Sequence, residues 1–339
     1  MRIVVAVVVL ACTADVLLAQ SPLPVIDVHM HAAPANGQGP PPIALCLPFT
    51  TMPVWDPRRP YELTLFSRDP KQLACADPIV SPMTDNEVMT ETIAAAERRN
   101  VYGVLAGPPA RVDAWLQAAP RRFIPAADAE LGRSNSLSLD ELRALHAKGR
   151  LAVMAEISLH HAGIPPDDPR MEPHWALAEE LDIPAGIHIG PGPPGSIYLR
   201  RGNTNYRARM HSALTLEDVL VKHPKLRLYI MHAGYPMLED LLAVLYAHPQ
   251  VYVDIAMIVW GQPRPAFYRY LQGIFEAGFG NRVMFGSDQM VWPGLIERSI
   301  QIIESAPFLT EQQKRDVLYN NAARFLRFSD AEIARHHGR

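Results

Sequence analysis

The strongest constraint on this chain is a rhythm that begins at Val25. Short apolar runs at 25–31, 101–107, 122–128, 151–157, 183–189, 226–234, 251–256 and 282–288 alternate with helical stretches. The runs are rich in Val, Ile and Leu and mostly lack polar alternation, which is the pattern of strands buried on both faces of a parallel sheet. Helices are predicted over 84–100, 111–118, 138–148, 173–181, 215–222, 236–247, 265–277 and 293–304, with Thr84, Ser138 and Thr215 as N-caps. A last helix over 310–325 follows the eighth strand. Eight strand–helix units are the count of a closed (β/α)8 TIM barrel of the α/β class. An open doubly wound sheet is the alternative, but no Gly-rich phosphate turn follows the first strand.

The barrel is expected over 24–328, with a tail at 329–339 that contains His336 and His337. Between the first and second strands lies a Pro-rich insertion, 32–82, with almost no periodic pattern. Its aromatic residues Phe49, Trp55, Tyr61 and Phe66 argue against disorder. It reads as a long loop packed as a cover over one end of the fold. Cys46 and Cys75 both lie in it and are expected to form a disulfide in an oxidising compartment, two separate thiols being the alternative.

Residues 1–19 read as an export signal: one arginine, an apolar run from Ile3 to Ala11, and a cleavage site after Ala19. A buried N-terminal element is the alternative, and Val9–Cys12 is only a loose lipobox. The mature protein is then periplasmic or secreted, with no membrane span. The net charge of -3, without long charge runs, gives no reason to expect a nucleic-acid partner. A small-molecule substrate is expected instead, and homo-oligomerisation is compatible with the composition.

Active sites of this barrel sit at the carboxyl ends of the strands. The polar residues there are His29 and His31 on the first strand, Glu156 on the fourth, His188 on the fifth, His232 on the sixth, Asp254 on the seventh and Asp288 on the eighth. Each is a metal-ligand or acid–base type. Buried without partners they would be costly, so coordination of a divalent ion accounts for the set more simply than seven separate core residues. The bland alternative for H-x-H alone is a strand carrying two polar residues.

The motifs DVHMH at 27–31, AEIS around Glu156, GIHIG around His188, IMHAGYP around His232, FGSD at 285–288 and LYNNAARFL at 318–326 together resemble the amidohydrolase superfamily. The resemblance is to its amidohydrolase-related branch of metal-dependent hydrolases and aromatic-acid decarboxylases. It implies that His29, His31, His188 and Asp288 hold a divalent metal, zinc by preference, as one ion or two. It implies a catalytic role for Asp288, as the acceptor of a water proton. His232 is implied either as a catalytic residue that polarises the carbonyl or as a ligand of a second ion. Asp27 would orient its neighbours from behind; Asp254 is assigned either the same role or a loop cap. The modified lysine that bridges two metals in many members is absent, and Glu156 stands in its place, either as a bridging ligand or as a supporting partner. The reaction implied is hydrolysis of a small ester, lactone or amide by a metal-activated water. The alternative is carbon–carbon lysis, the decarboxylation of a small aromatic or dienoic acid. A catalytically dead binding barrel is a third reading, which the complete set of strand-end residues disfavours.

The loop after the fifth strand carries Arg200, Arg201, Arg207 and Arg209. Arg207 and Arg209 are candidates for a substrate carboxylate, the alternative being a solvated basic loop; Trp55 is a candidate contact from the cover. His160 and His161 either line the mouth of the site or lie on the surface. His146, His223 and His248 fall on the far side.

Overall fold

The computed structural model describes residues 22–62, 65–67, 69, 71, 75–128, 131, 136–190, 192–199 and 202–338. The expected signal, 1–19, lies outside the described residues. Eight strands form one parallel sheet in chain order: β1 (Val25–His31), then β5 (Val101–Ala106), β6 (Phe123–Ala127), β7 (Val153–Ile157), β8 (Ala185–His188), β9 (Leu228–Met231), β10 (Tyr252–Asp254) and β11 (Val283–Met284). The ring is joined between its ends by two backbone hydrogen bonds, Val28 N to Phe285 O (3.0 Å) and Asp288 N to His29 O (2.9 Å). Residues from six of the strands, including Ile26, Val104, Ala126, Val153, Tyr229 and Met284, share one buried cluster with Tyr319, Ala322 and Phe325. Strands on opposite sides of a ring meet only within it, so this cluster fills the interior, with the segment Asp316–Leu326 packed against β1 and β11.

The larger core lies between strands and helices and includes Trp115, Leu142, Trp175, Leu241, Phe267 and Ile300. Capping boxes at Thr84 and Ser138 start the helices Asp85–Arg98 and Leu139–Ala147 as expected. Thr215 does not cap: Ser212 caps a 3-10 turn, Ala213–Leu216, which leads into the helix Glu217–Lys222. The helix expected over 310–325 is interrupted by a π turn at Asp316–Asn320. The tail folds as a further helix, Asp330–His336.

The insertion is more ordered than a long loop. It contains a three-stranded antiparallel sheet in which β2 (Ala44–Leu45) lies between β3 (Phe66–Ser67) and β4 (Ile79–Val80). Such short strands carry no legible period, which is why the sequence pattern missed them. Cys46 and Cys75 are disulfide-bonded, with Cα atoms 5.8 Å apart. The cover is fastened to the barrel's carboxyl end: Trp292 Nε1 donates to Ile43 O (2.8 Å), Phe49 N donates to Gly261 O (3.0 Å), and Phe66 stacks on Trp292.

Candidate metal centre

The strand ends bring His29, His31, Glu156, His188, His232 and Asp288 into one cluster. Four of its side-chain atoms face one another. His31 Nε2 lies 3.1 Å from Asp288 Oδ1 and 3.4 Å from Glu156 Oε2; His29 Nε2 lies 3.6 Å from Glu156 Oε2 and 3.8 Å from Asp288 Oδ1. Ligands about 2.0–2.1 Å from a tetrahedral zinc are separated by about 3.4 Å, so these spacings fit one ion. His188 stands beside this group: its Nδ1 is hydrogen-bonded to Glu156 Oε1. Glu156 thus lies between His29 and His31 on one side and His188 on the other.

The surrounding residues aim the imidazoles. Asp254 Oδ2 is 3.0 Å from His29 Nδ1, and its Oδ1 accepts from the backbone N–H groups of His232 and Ala256, both at 2.9 Å. His232 Nδ1 bonds Ala256 O at 2.8 Å. Asp27 does not enter the cluster; its Oδ1 accepts from His29 N and Ser287 N, tying β1 to the residue before Asp288. A Cβ at Gly286 would come within 2.8 Å of His29 Cβ, so glycine is required beside that ring. His232 and Asp288 both have positive φ, 62° and 49°, a costly backbone state that clusters at functional sites.

The orienting bonds leave bare nitrogens. His29 Nε2, His188 Nε2 and His232 Nε2 are buried and have no hydrogen-bond partner among the described residues. An unsatisfied buried polar group costs about 1–3 kcal/mol, a cost that a cation relieves for each nitrogen that ligates it. Electrostatics point the same way. Burial opposes charge on His29, yet the carboxylates of Asp254 and Asp288 raise its pKa well above the usual value. Burial likewise opposes ionisation of Glu156, but the His188 and His29 rings hold it well below the carboxylate range. The carboxylates thus demand positive charge between the imidazoles. His232 differs: burial, reinforced by His188 and His29, lowers it to about 4, so it is neutral near pH 7. Burial pushes Asp27 up to about 7.

The cluster opens into a cavity of about 730 Å³. Phe49, Met52, Leu65 and Phe66 of the cover line it, facing inward with Ile197, Met257 and Met290. Trp55 does not contribute; its indole donates to Arg59 O (2.8 Å) and packs edge-on against Tyr61. Arg207 and Arg209 are exposed and lie outside the lining. Arg207 Nη1 is engaged by the carbonyls of Thr204 and Tyr206, each at 2.7 Å. The 3-10 turn Ala208–His211 accounts for this placement: residues three apart share a face, and Ala208 and His211 take the inward one. Arg200 and Arg201 lie outside the described residues.

Several residues escaped the sequence reading. His211 lines the cavity with Tyr206, whose hydroxyl lies 2.7 Å from His211 Nε2. Asp128, at the end of β6, accepts from Glu156 N at 3.0 Å. Gln289 clamps His31 through both backbone groups, N–H at 3.1 Å and C=O at 2.7 Å. Position at a strand end was the available signal for Asp128; the other two carry none. Of the uncertain histidines, His161 lines the cavity and His160 is buried behind it. His146, His223 and His248 face other groups: His146 Nδ1 bonds Leu151 O, His223 Nδ1 bonds Glu179 Oε2, and His248 Nε2 lies 3.9 Å from Glu217 Oε1.

A (β/α)8 barrel whose strand ends converge histidines and carboxylates on one candidate metal centre defines a class of protein. The chain belongs to the amidohydrolase family, whose model matches residues 26–328. No curated protein matches it. Among solved structures it resembles a probable 2-pyrone-4,6-dicarboxylic acid hydrolase from Acinetobacter baumannii, at 14% identity and a TM-score of 0.54, covering 90% of this chain and 100% of that one. An uncharacterised TIM-barrel protein from Bordetella bronchiseptica has 20% identity and a TM-score of 0.51, covering 75% and 83%. The 5-carboxyvanillate decarboxylase from Sphingomonas paucimobilis has 19% identity and a TM-score of 0.50, covering 70% and 82%. At these identities the likeness is one of fold.

Proposed function

We propose that the protein is a metal-dependent hydrolase of a small ester, lactone or amide. The observation that carries this reading is the four-atom group of His29 Nε2, His31 Nε2, Glu156 Oε2 and Asp288 Oδ1, with the bare His232 Nε2 alongside. These four residues would hold one divalent ion, zinc by preference for a tetrahedral N/O set. When bound, such an ion supplies Lewis acidity, polarising a carbonyl and acidifying water.

The residues of the chain do the rest. Asp288 is kept ionised by the His29 and His31 rings despite its burial, so Oδ2 is available to take the proton of an attacking water and to return it to the leaving group. His232, whose Nδ1–H donates to Ala256 O (2.8 Å), keeps an Nε2 lone pair that accepts a hydrogen bond from the attacking water and orients it. Asp254 fixes the tautomer of His29. The apolar wall of Phe49, Leu65, Phe66 and Met257 excludes water from the far side of the substrate.

Carbon–carbon lysis would use the same residues, so the test measures both outcomes. Metal analysis is run beside assays on lactones, aryl esters, amides and aryl carboxylates. Ester, lactone or amide cleavage that falls about 10²–10⁴-fold in Asp288→Asn is expected. A metal-free native protein, a fully active variant, or release of carbon dioxide in place of hydrolysis would overturn the reading. The Cys46–Cys75 disulfide supports export to an oxidising compartment. Among the described residues, no helix is long and apolar enough to cross a membrane.

A further inference from the structure

Beyond the metal cluster, His211 and Tyr206 stand together in the cavity wall. The loop that bears them is seated on the turn after β7. Asn203 Nδ2 donates to His161 O (2.6 Å). A Cβ at Gly163 would lie 2.5 Å from Asn205 Cβ and 3.0 Å from Tyr206 N, so glycine is required where the loop docks. Tyr198 Oη donates to Tyr206 O at 2.5 Å. The His160 ring packs against both His188 of the cluster and His211, with centroids 4.6 and 5.3 Å away. A substrate whose carbonyl sits at the cluster can therefore reach His211 with its other end.

Tyr206 Oη lies 2.7 Å from His211 Nε2. Burial lowers the pKa of His211 to about 4 and raises that of Tyr206, so near pH 7 the ring is neutral and the hydroxyl keeps its proton. A phenol O–H is the stronger donor and an imidazole nitrogen the stronger acceptor, so the hydroxyl donates to Nε2 and the ring's own proton sits on Nδ1. His211 is 6% exposed, and its Nδ1 has no hydrogen-bond partner among the described residues. A substrate oxygen in the cavity can supply that partner.

The rest of the wall sets the character of the substrate. Phe49, Leu65, Phe66, Ile197 and Met257 offer apolar surface. Among the described lining residues, those of Asp, Glu, Lys or Arg type are Asp128, Glu156 and Asp288, all acidic. A substrate carboxylate would face carboxylates there, which is costly in a buried site. We propose that the cavity takes a neutral aromatic ester or lactone with an oxygen acceptor at the end remote from the scissile bond, and that His211, held by Tyr206, donates its Nδ1–H to that oxygen. The inference rests on the hydrolase reading above and names the substrate class for it. His211 sets specificity, and Tyr206 is a positioning residue.

Three acetate esters test this on the metal-loaded full chain. Methyl 4-acetoxybenzoate is neutral with a remote acceptor, 4-acetoxybenzoate is the corresponding anion, and 4-propylphenyl acetate is neutral without the acceptor. The first should exceed the second in kcat/KM by about tenfold or more. His211→Leu should raise KM for the first by about 3–10-fold and less for the propyl ester, with metal content as in the parent. His211→Asn, whose amide N–H can stand where Nδ1–H does, should restore most of the loss, and Tyr206→Phe should give an intermediate KM. A preference for the carboxylate, equal rises for both neutral esters, or no difference between the two His211 variants would each overturn the proposal. Calorimetry with methyl benzoate and benzoate reads the same preference without turnover. Cleavage of none of the esters would overturn the hydrolase reading, and tighter binding of benzoate would overturn the recognition by His211.

Discussion

Asp254 Oδ2 lies 3.0 Å from Nδ1 of His29, a residue 225 positions away in the chain. The contact joins the end of the seventh barrel strand to the first. It decides which nitrogen of His29 faces Glu156 and Asp288. Asp254→Asn keeps size and shape but can no longer accept from both His29 and the two backbone N–H groups. Zinc affinity should fall about 10–100-fold, measured by competition with a chromogenic chelator. An unchanged affinity would mean that His29 is not oriented for metal.

His232→Asn should lower kcat by about 10²–10⁴-fold while zinc content stays that of the parent. The ring stands next to the four-atom group, and its bare Nε2 is free for substrate or water. Loss of an ion on this substitution would instead make His232 a ligand. Turnover and metal stoichiometry on the same sample separate the two.

The disulfide should matter for the cavity more than for the metal. It closes 29 residues of a cover that carries Phe49, Leu65 and Phe66 into the lining. Loop closure over that length is worth about 3–4 kcal/mol. A Cys46→Ser, Cys75→Ser variant should show faster proteolysis within the cover and a raised KM, with metal content unchanged. Thiol titration of denatured, unreduced protein should find neither cysteine free.

Arg207→Ala and Arg209→Ala should leave KM within about twofold, since surface changes away from a site are usually near neutral. Both arginines are exposed and outside the cavity lining. A large rise in KM would place the substrate's charge on the loop's outer face.

The tail helix should be sensitive to acid. His336 stacks on Tyr102 at 3.7 Å and bonds Tyr319 at 3.0 Å. Its half-burial, with the Arg335 charge adding, lowers its pKa from 6.5 to about 4. Between those values the unfolded ring binds a proton that the docked ring refuses. Stability is therefore flat above pH 6.5 and falls as the pH drops from 6.5 towards 4. His336→Phe should flatten that slope in denaturant midpoints measured across the range; an identical slope would remove His336 as its source.

The barrel was legible because apolar runs buried on both faces cannot be much else once eight alternate with helices. The strand boundaries held within four residues, the largest difference being at the end of the eighth strand, Met284 against the expected Asp288. The ligand types were legible because their positions fell in phase with strand ends. His211 and Gln289 were not: nothing about a histidine or glutamine in a loop says which way the loop turns.

The amino-acid sequence by itself determined the (β/α)8 class and the strand ends that carry metal-ligand residues, and left Cys46 and Cys75 as either a disulfide or two thiols. Those follow from local burial patterns and from residue chemistry. Only the tertiary structure decided that Glu156 lies between His29, His31 and His188, that Arg207 and Arg209 are exposed, and that the His160 and His161 rings pack against His188. These are relations between side chains on different strands and loops, separated by a few ångströms in space and by tens of residues in the chain. Closure of the ring creates them, and no local pattern encodes them.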